Sequence, residues 1–140
     1  MESNKFDFII IGAGSAGCVI ANRLTASGKF RVLLLEAGPS DSSPWIHMPI
    51  GYGRNFSNPK VNWLYSSEPG IDWVKRPIKQ PRGKVLGGSS SINGLVYMRG
   101  QKEDYDHWRQ LGNDGWGYEQ VLDYFKKSEH QERGEDPFHG

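Results

Sequence analysis

Three glycines and one acid carry the first chemical signal. Gly12, Gly14 and Gly17 form a G-x-G-x-x-G run directly after the apolar Phe8-Ile9-Ile10-Ile11. Glu36 ends a second apolar run, Val32-Leu33-Leu34-Leu35, 24 residues after Gly12. Each has a mechanical use in gripping a dinucleotide. Gly12 permits a tight turn off a strand, Gly14 has no Cβ and lets backbone approach a pyrophosphate, and Gly17 lets a helix pack close to a sheet. The N-terminus of that helix adds unpaired N–H groups and a positive dipole end. A ligand-free glycine turn between strand and helix is the bland alternative, and the acid at the end of the next strand weighs against it. A carboxylate there accepts hydrogen bonds from an adenosine ribose and repels a 2′-phosphate. It disfavours NADP and does not separate NAD from FAD.

A second concentration of glycine and hydroxyl groups runs from Arg82 to Gly94, RGKVLGGSSSING. Its glycines let backbone pass close to a flat or phosphorylated group, and its three serines and Asn93 supply polar contacts. A flexible Ser/Gly linker is the competing reading. The flanking Val85-Leu86 and Leu95-Val96-Tyr97-Met98 argue for burial instead. Four histidines, His47, His107, His130 and His139, could each be mistaken for a general base. Two fall on helical patterns, one in a proline-rich loop and one near the terminus, and only geometry could promote one of them. No catalytic base and no metal site is assigned. The single cysteine, Cys18, excludes an internal disulfide and reads as a small packing residue against the sheet.

The elements that must position these groups begin with a β-α-β unit. A helix is expected over about Ser15 to Ala26, with Ala16, Val19, Ile20 and Leu24 on one face, and a parallel strand over Arg31 to Glu36. From Gly38 to Lys84 prolines recur without a period, with Trp45, Trp63 and Trp73 between them. This stretch is expected to be extended loop with one or two short strands near Trp63 to Ser66. Two helices follow. Lys102 to Leu111 carries Tyr105, Trp108 and Leu111 on one side, and Tyr118 to His130 carries Tyr118, Val121, Leu122 and Phe125. At 140 residues the chain suffices for one modest domain with a core. Seventeen basic against 16 acidic residues, net +1, give no reason to expect nucleic acid. The uncharged Phe8 to Ala21 stretch is too short and glycine-rich for a membrane span, and Glu2 and Asp7 spoil a signal peptide. The chain reads as soluble and cytoplasmic, with peripheral membrane contact left open.

The run GKVLGGSSSINGLVYMRG with Tyr105-Asp106 after it closely resembles the first signature of the glucose–methanol–choline (GMC) oxidoreductases. The N-terminal fingerprint, Asn62-Trp63-Leu64-Tyr65 with Glu68-Pro69, and Gly115-Trp116-Gly117 are similar to that family too. The likeness covers the whole chain and is nearest to the choline and alcohol dehydrogenase branch. It implies an α/β fold, a Rossmann-like FAD-binding βαβ unit with long cofactor-wrapping loops and added helices, as an incomplete domain. It implies FAD rather than NAD, with Gly12, Gly14 and Gly17 at the pyrophosphate and Glu36 at the adenosine ribose. Ser15, Ala16 and Ala37 join that set. Val85, Gly88, Ser89 and Asn93, Gly94, Leu95 and Val96 are placed along the ribityl–flavin side. Some members attach flavin through a histidine in this loop. The matching position here is Ile92, so the FAD is expected to be noncovalent.

The resemblance further implies an alcohol substrate giving hydride to flavin N5, and an electron acceptor that is quinone-like or oxygen. The family's active-site histidine lies far downstream, so residues 1–140 are expected to be the N-terminal part of a GMC-type FAD-binding domain, truncated and inactive alone. A non-catalytic fragment and a GMC-fold lyase that uses FAD structurally are the alternatives.

Overall fold

The computed structural model describes residues 5–68 and 76–140; Pro69 and Trp73 lie outside the described residues. The chain forms two compact units, Met1–Val96 and Tyr97–Gly140. In the first, strand β1 (Phe8–Ile11), helix α1 (Ser15–Thr25) and strand β2 (Val32–Leu35) make the expected β-α-β unit. The strands are parallel, from Phe8 against Val32 to Ile11 against Leu35. Asp7 closes the entrance to the pair. Its N–H donates to the Arg31 carbonyl at 2.8 Å, and its carboxylate accepts from the Arg31 N–H at 2.7 Å. At the far end Gly12 N–H donates to Leu35 O at 2.7 Å, so the pairing runs into the glycine turn.

Helix α1 lies on both strands, with an inner face that shares only Leu24 with the one its apolar pattern suggested. Gly17, Cys18, Ala21 and Leu24 are half-buried, whereas Ala16 is exposed and Val19 and Ile20 are 58% and 49% exposed. Close approach selects the small residues. A Cβ on Gly17 would stand 2.0 Å from Gly12 O, so the helix meets the turn almost backbone to backbone. The Cys18 thiol donates to Ala13 O at 3.2 Å, in keeping with a packing role.

The proline-rich stretch is more helical than expected. Helix α2 (Pro44–His47), a 3₁₀ turn (Pro49–Gly51) and helix α3 (Tyr52–Asn55) follow one another. Pro44 and Pro49 sit in first turns, where the missing N–H costs no hydrogen bond and the fixed φ favours helix. The expected short strands then appear: β3 (Tyr65–Ser66) pairs antiparallel with β4 (Lys79–Gln80). A further bridge joins Asn62 to Gly83. The core gathers where this stretch folds back. Val61, Val85 and Ile92 are buried against half-buried Ile46, each stabilising by about 1.5–3 kcal/mol of apolar transfer.

The Gly/Ser-rich segment is ordered into this core and is no linker, with Gly88–Ser91 forming a 3₁₀ turn. It is wedged against the fingerprint by direct backbone contact. A Cβ on Gly88 would lie 2.8 Å from the Gly14 Cα, one on Gly83 2.2 Å from the Gly88 carbonyl, and one on Gly38 1.9 Å from Lys84 O. Gly87 N–H donates to Ala13 O at 2.7 Å and Leu86 N–H to Pro39 O at 2.9 Å. The burial expected for the residues that follow does not occur. Leu95, Val96, Tyr97 and Met98 are all exposed, since the turn that buries Gly88 and Ile92 has ended.

In the second unit, helices α4 (Lys102–Gln110) and α5 (Tyr118–Ser128) pair through Tyr105, whose ring meets Trp108, Tyr118 and Phe125. A Gln101–Asp104 capping box starts α4. Tyr118, Val121, Leu122 and Phe125 are half-buried as their spacing suggested, but Leu111 ends up exposed beyond the last turn of α4. After α5 the chain turns back onto Glu129. That carboxylate bonds the Arg99 guanidinium and, at 2.9 Å, the His139 Nδ1. The hydrogen bond from His139, then the charges of His139 and Arg99, hold the Glu129 carboxyl below its ordinary range.

Two outcomes follow from this packing. Gly83→Ala is expected to cost roughly 1–3 kcal/mol or more by overpacking. Gly53→Ala, on α3 with open space at its Cβ, should be neutral or stabilising by about 0.5–1 kcal/mol. Thermal unfolding of the two variants checks both. Because the folded Glu129 pKa is depressed, its contribution is present above the unfolded carboxylate pKa and is lost as pH falls through the folded value. Amide-exchange protection at Gln131, Gly134 and Asp136, which bond within this turn, should drop below about pH 4, and Glu129→Gln should lessen that acid dependence. The rest comes from Asp136, whose carboxyl the Phe138 and His139 amides hold below its ordinary range.

Candidate dinucleotide-binding site

The end of β1, the end of β2 and the Gly88 turn enclose a groove of about 640 Å³. Its lining includes Ile11, Gly12, Gly14, Leu35, Glu36, Ala37, Gly83, Gly88 and Ser89, with Trp63, Tyr65 and Arg82. The volume lies within the roughly 300–1,000 Å³ range of small-molecule sites. Two sequence signals 70 residues apart, Gly12 to Gly17 and Arg82 to Gly94, thus meet at one place.

The three fingerprint glycines divide by what demands them. Gly12 has φ +94°, a left-handed conformation that disfavours side chains, and Gly17 is forced by contact with Gly12 O. Gly14 has ordinary extended backbone, and nothing stands within 4 Å of the place its Cβ would take. The protein's own packing does not require glycine there, and Gly14 lines the groove. Gly14 is also the N-cap of α1, with no side chain capping it and no acid in the first turn. The first-turn N–H groups therefore meet solvent or a ligand, at the positive end of the helix dipole.

Glu36 is held in this groove by two backbone donors. Its Oε2 accepts from Ala13 N–H at 2.8 Å and its Oε1 from Gly38 N–H at 2.9 Å. Each oxygen keeps a lone-pair direction for a further donor such as a ribose hydroxyl. The acid that the sequence assigned to ligand binding also fixes the fingerprint turn to the end of β2. Ser89 Oγ accepts from Gly83 N–H at 3.0 Å, so the hydroxyl bridges the two arms of the Gly/Ser segment.

The remaining cofactor positions named from sequence distribute unevenly. Ala37 lines the groove, whereas Ser15 and Ala16 are exposed at the start of α1 and Gly17 lies beneath the turn. Val85 is fully buried in the hydrophobic cluster with Val61 and Ile92, where its side chain anchors the turn. Asn93 and Gly94 line a smaller recess of about 340 Å³ that shares Ser89 and Arg82 with the main groove. Ile92 also reaches this recess. Leu95 and Val96 are exposed and line neither.

Sequence reasoning had assigned no site role to Trp63, Tyr65 or Arg82. The two aromatic rings stack with centroids 5.9 Å apart and planes 3° from parallel, and Lys84 Nζ lies 4.9 Å from the Trp63 ring centroid. Leu64 between them has φ +55° and breaks the extended backbone, so strand alternation in Trp63-Leu64-Tyr65 carried no signal for this stacking. No histidine lines the groove. His47 Nε2 meets Asp41 O at 2.7 Å and His139 meets Glu129, so both have structural partners. Among the described residues no cluster of His, Cys, Asp or Glu could hold a metal, and no helix is long and apolar enough to cross a membrane.

Known proteins agree with this geometry. The chain is 50% identical over 96% of its length to an alcohol dehydrogenase [acceptor] of Pseudomonas putida, and covers 25% of that protein. It is 52% identical over 96% of its length to an oxygen-dependent choline dehydrogenase of Rhizobium etli (strain CIAT 652), covering 24% of it. The crystal structure of pyridoxine 4-oxidase from Mesorbium loti superposes with a TM-score of 0.87 at 34% identity, over 97% of this chain and 27% of that one. The chain thus spans about a quarter of the length of the curated relatives it matches. The family described as GMC oxidoreductase matches residues 6–135, nearly the full length, and the chain belongs to that family.

Proposed function

We propose that this chain grips the dinucleotide of an FAD-dependent oxidoreductase that acts on the CH–OH group of an alcohol. The observation that carries the reading is Gly14, a glycine that the protein's packing leaves unexplained, opening onto a groove with an anchored carboxylate and an uncapped helix N-terminus. These residues fit an FAD. The bare backbone at Gly14 and the first-turn amides of α1 suit a pyrophosphate, and the free lone pairs of Glu36 suit the adenosine ribose. Ser89 and the recess at Asn93 and Gly94 are assigned to the flavin end. When bound, FAD supplies the two-electron acceptor for alcohol oxidation.

The chain's own part is binding and orientation. Backbone donors fix the phosphates, Glu36 fixes the ribose, and the Gly88 turn closes the groove beside them. The relatives named above include an acceptor-linked and an oxygen-dependent enzyme, which supports a quinone-like acceptor or oxygen here. A cytoplasmic location, with peripheral membrane contact, belongs to the same proposal. Ile92, an aliphatic residue that can form no bond to flavin, stands at the position resembling the family's flavin-attaching histidine, which supports a noncovalent FAD.

Alcohol-dependent dye reduction by the intact protein, tried with choline and with aliphatic and aromatic alcohols, tests the activity; absence of turnover with every class would overturn it. Acid precipitation should release all flavin to the supernatant, and a yellow pellet would contradict the noncovalent assignment. Gly14→Val is expected to abolish FAD binding by filling the pyrophosphate space. Glu36→Ala should weaken binding by roughly 1.5–3 kcal/mol in a flavin-fluorescence titration, since it removes charged hydrogen bonds. Unchanged affinity would take Glu36 out of the ribose contact.

A further inference from the structure

The side-chain amide of Asn62 is 2% exposed and makes four hydrogen bonds, its full capacity. Its Oδ1 accepts from Leu64 N–H at 2.9 Å and from Arg82 N–H at 3.1 Å. Its Nδ2 donates to Asn55 O at 3.3 Å and Phe56 O at 3.0 Å. Around it Trp63 N–H donates to Arg82 O at 2.9 Å and Lys84 N–H to Val61 O at 2.8 Å. Three separate pieces of chain, the end of α3, the 62–64 segment and the 82–84 segment, are thus tied through one amide. Leu64 is held at φ +55° within the tie, although leucine seldom adopts that conformation.

The residues on either side of this staple that reach the groove are Trp63 and Arg82. Trp63 is 43% exposed, stacks on Tyr65 and has Lys84 Nζ 4.9 Å from its ring centroid, and Arg82 is an exposed cation. A planar ring and a guanidinium are the groups that suit the base and the phosphates of a nucleotide. We propose that Asn62 is a positioning residue for the dinucleotide, holding Trp63 and Arg82 as one wall of its groove. This inference rests on the FAD reading above. Asn62 touches no ligand and acts only through those two side chains.

Its test is a set of FAD titrations on the intact chain, run below the melting temperature of each variant. Asn62→Asp keeps the acceptor oxygen but turns a second oxygen on the carbonyls of Asn55 and Phe56, and should weaken FAD by about tenfold or more. Trp63→Ala and Arg82→Ala, both at exposed positions, should each weaken it by at least about threefold. In a chain already carrying those two changes, Asn62→Asp should cost little further affinity, because the wall it positions is gone. A merely structural role predicts the opposite, an equal loss in both backgrounds, and that result would overturn the proposal. So would unchanged affinity in both wall variants, a result that does not depend on Asn62→Asp folding. If the unmodified chain binds no FAD, or Gly14→Val still binds it, the functional reading fails and this inference with it. Binding that Gly14→Val abolishes and the wall variants leave intact sinks this inference alone.

Discussion

The groove exists because backbone meets backbone without side chains between. Gly88 rests on Gly14, Gly83 rests on Gly88, and Gly38 rests on Lys84, each at distances that a single Cβ would violate. Hydrogen bonds from Gly87 to Ala13 and from Leu86 to Pro39 lock the contact. Those contacts set the arm of the groove opposite the fingerprint turn. They bring the Gly/Ser segment to the mouth of the β-α-β unit and bury Val85 and Ile92 as its anchor. Lengthening any of these contacts would move the Ser89 hydroxyl and the Arg82 arm away from the fingerprint turn.

Charge is used economically within this frame. The Glu36 carboxylate accepts from two backbone N–H groups on different segments, so the acid proposed for the ribose also ties the fingerprint turn to the end of β2. Hydrogen bonds to a charged acceptor are stronger than neutral ones, which suits a site shaped before any ligand arrives. Asn62 does the neutral equivalent on the other wall, where four modest bonds to buried backbone leave no polar group unpaired. The two walls therefore rest on side chains that bond backbone, a rigid arrangement with few rotamers to lose.

Much of this was legible in the residues. The glycine spacing, the apolar runs and the terminal acid located β1, α1 and β2, and the periodicity of Tyr118, Val121, Leu122 and Phe125 located the inner face of α5. The inner face of α1 was misjudged because hydrophobicity was weighed and closeness was not. Val19 and Ile20 are the more apolar residues, but Gly17, Cys18 and Ala21 are small enough to lie on the turn and strands, and of the expected face only Leu24 joins them. The helices at Pro44 and Tyr52 were missed because each is a single turn, too short for a period to register. Leu95 to Met98 carried an apolar pattern that the fold leaves in the open.

What the sequence determined by itself was local and steric. A tight turn at Gly12 and a strand running up to Glu36 follow from which atoms those residues have. The family resemblance, too, was written in contiguous motifs. Only the tertiary structure decided which distant pieces face each other. Gly88 meets the fingerprint and Trp63 and Arg82 line the same groove across tens of residues, and neither composition nor periodicity encodes such proximity. The separation of Gly14 from Gly12 and Gly17 is the clearest case. All three are glycines in one motif, yet two are explained by the chain's own backbone and one by space, a difference visible only once neighbours have coordinates.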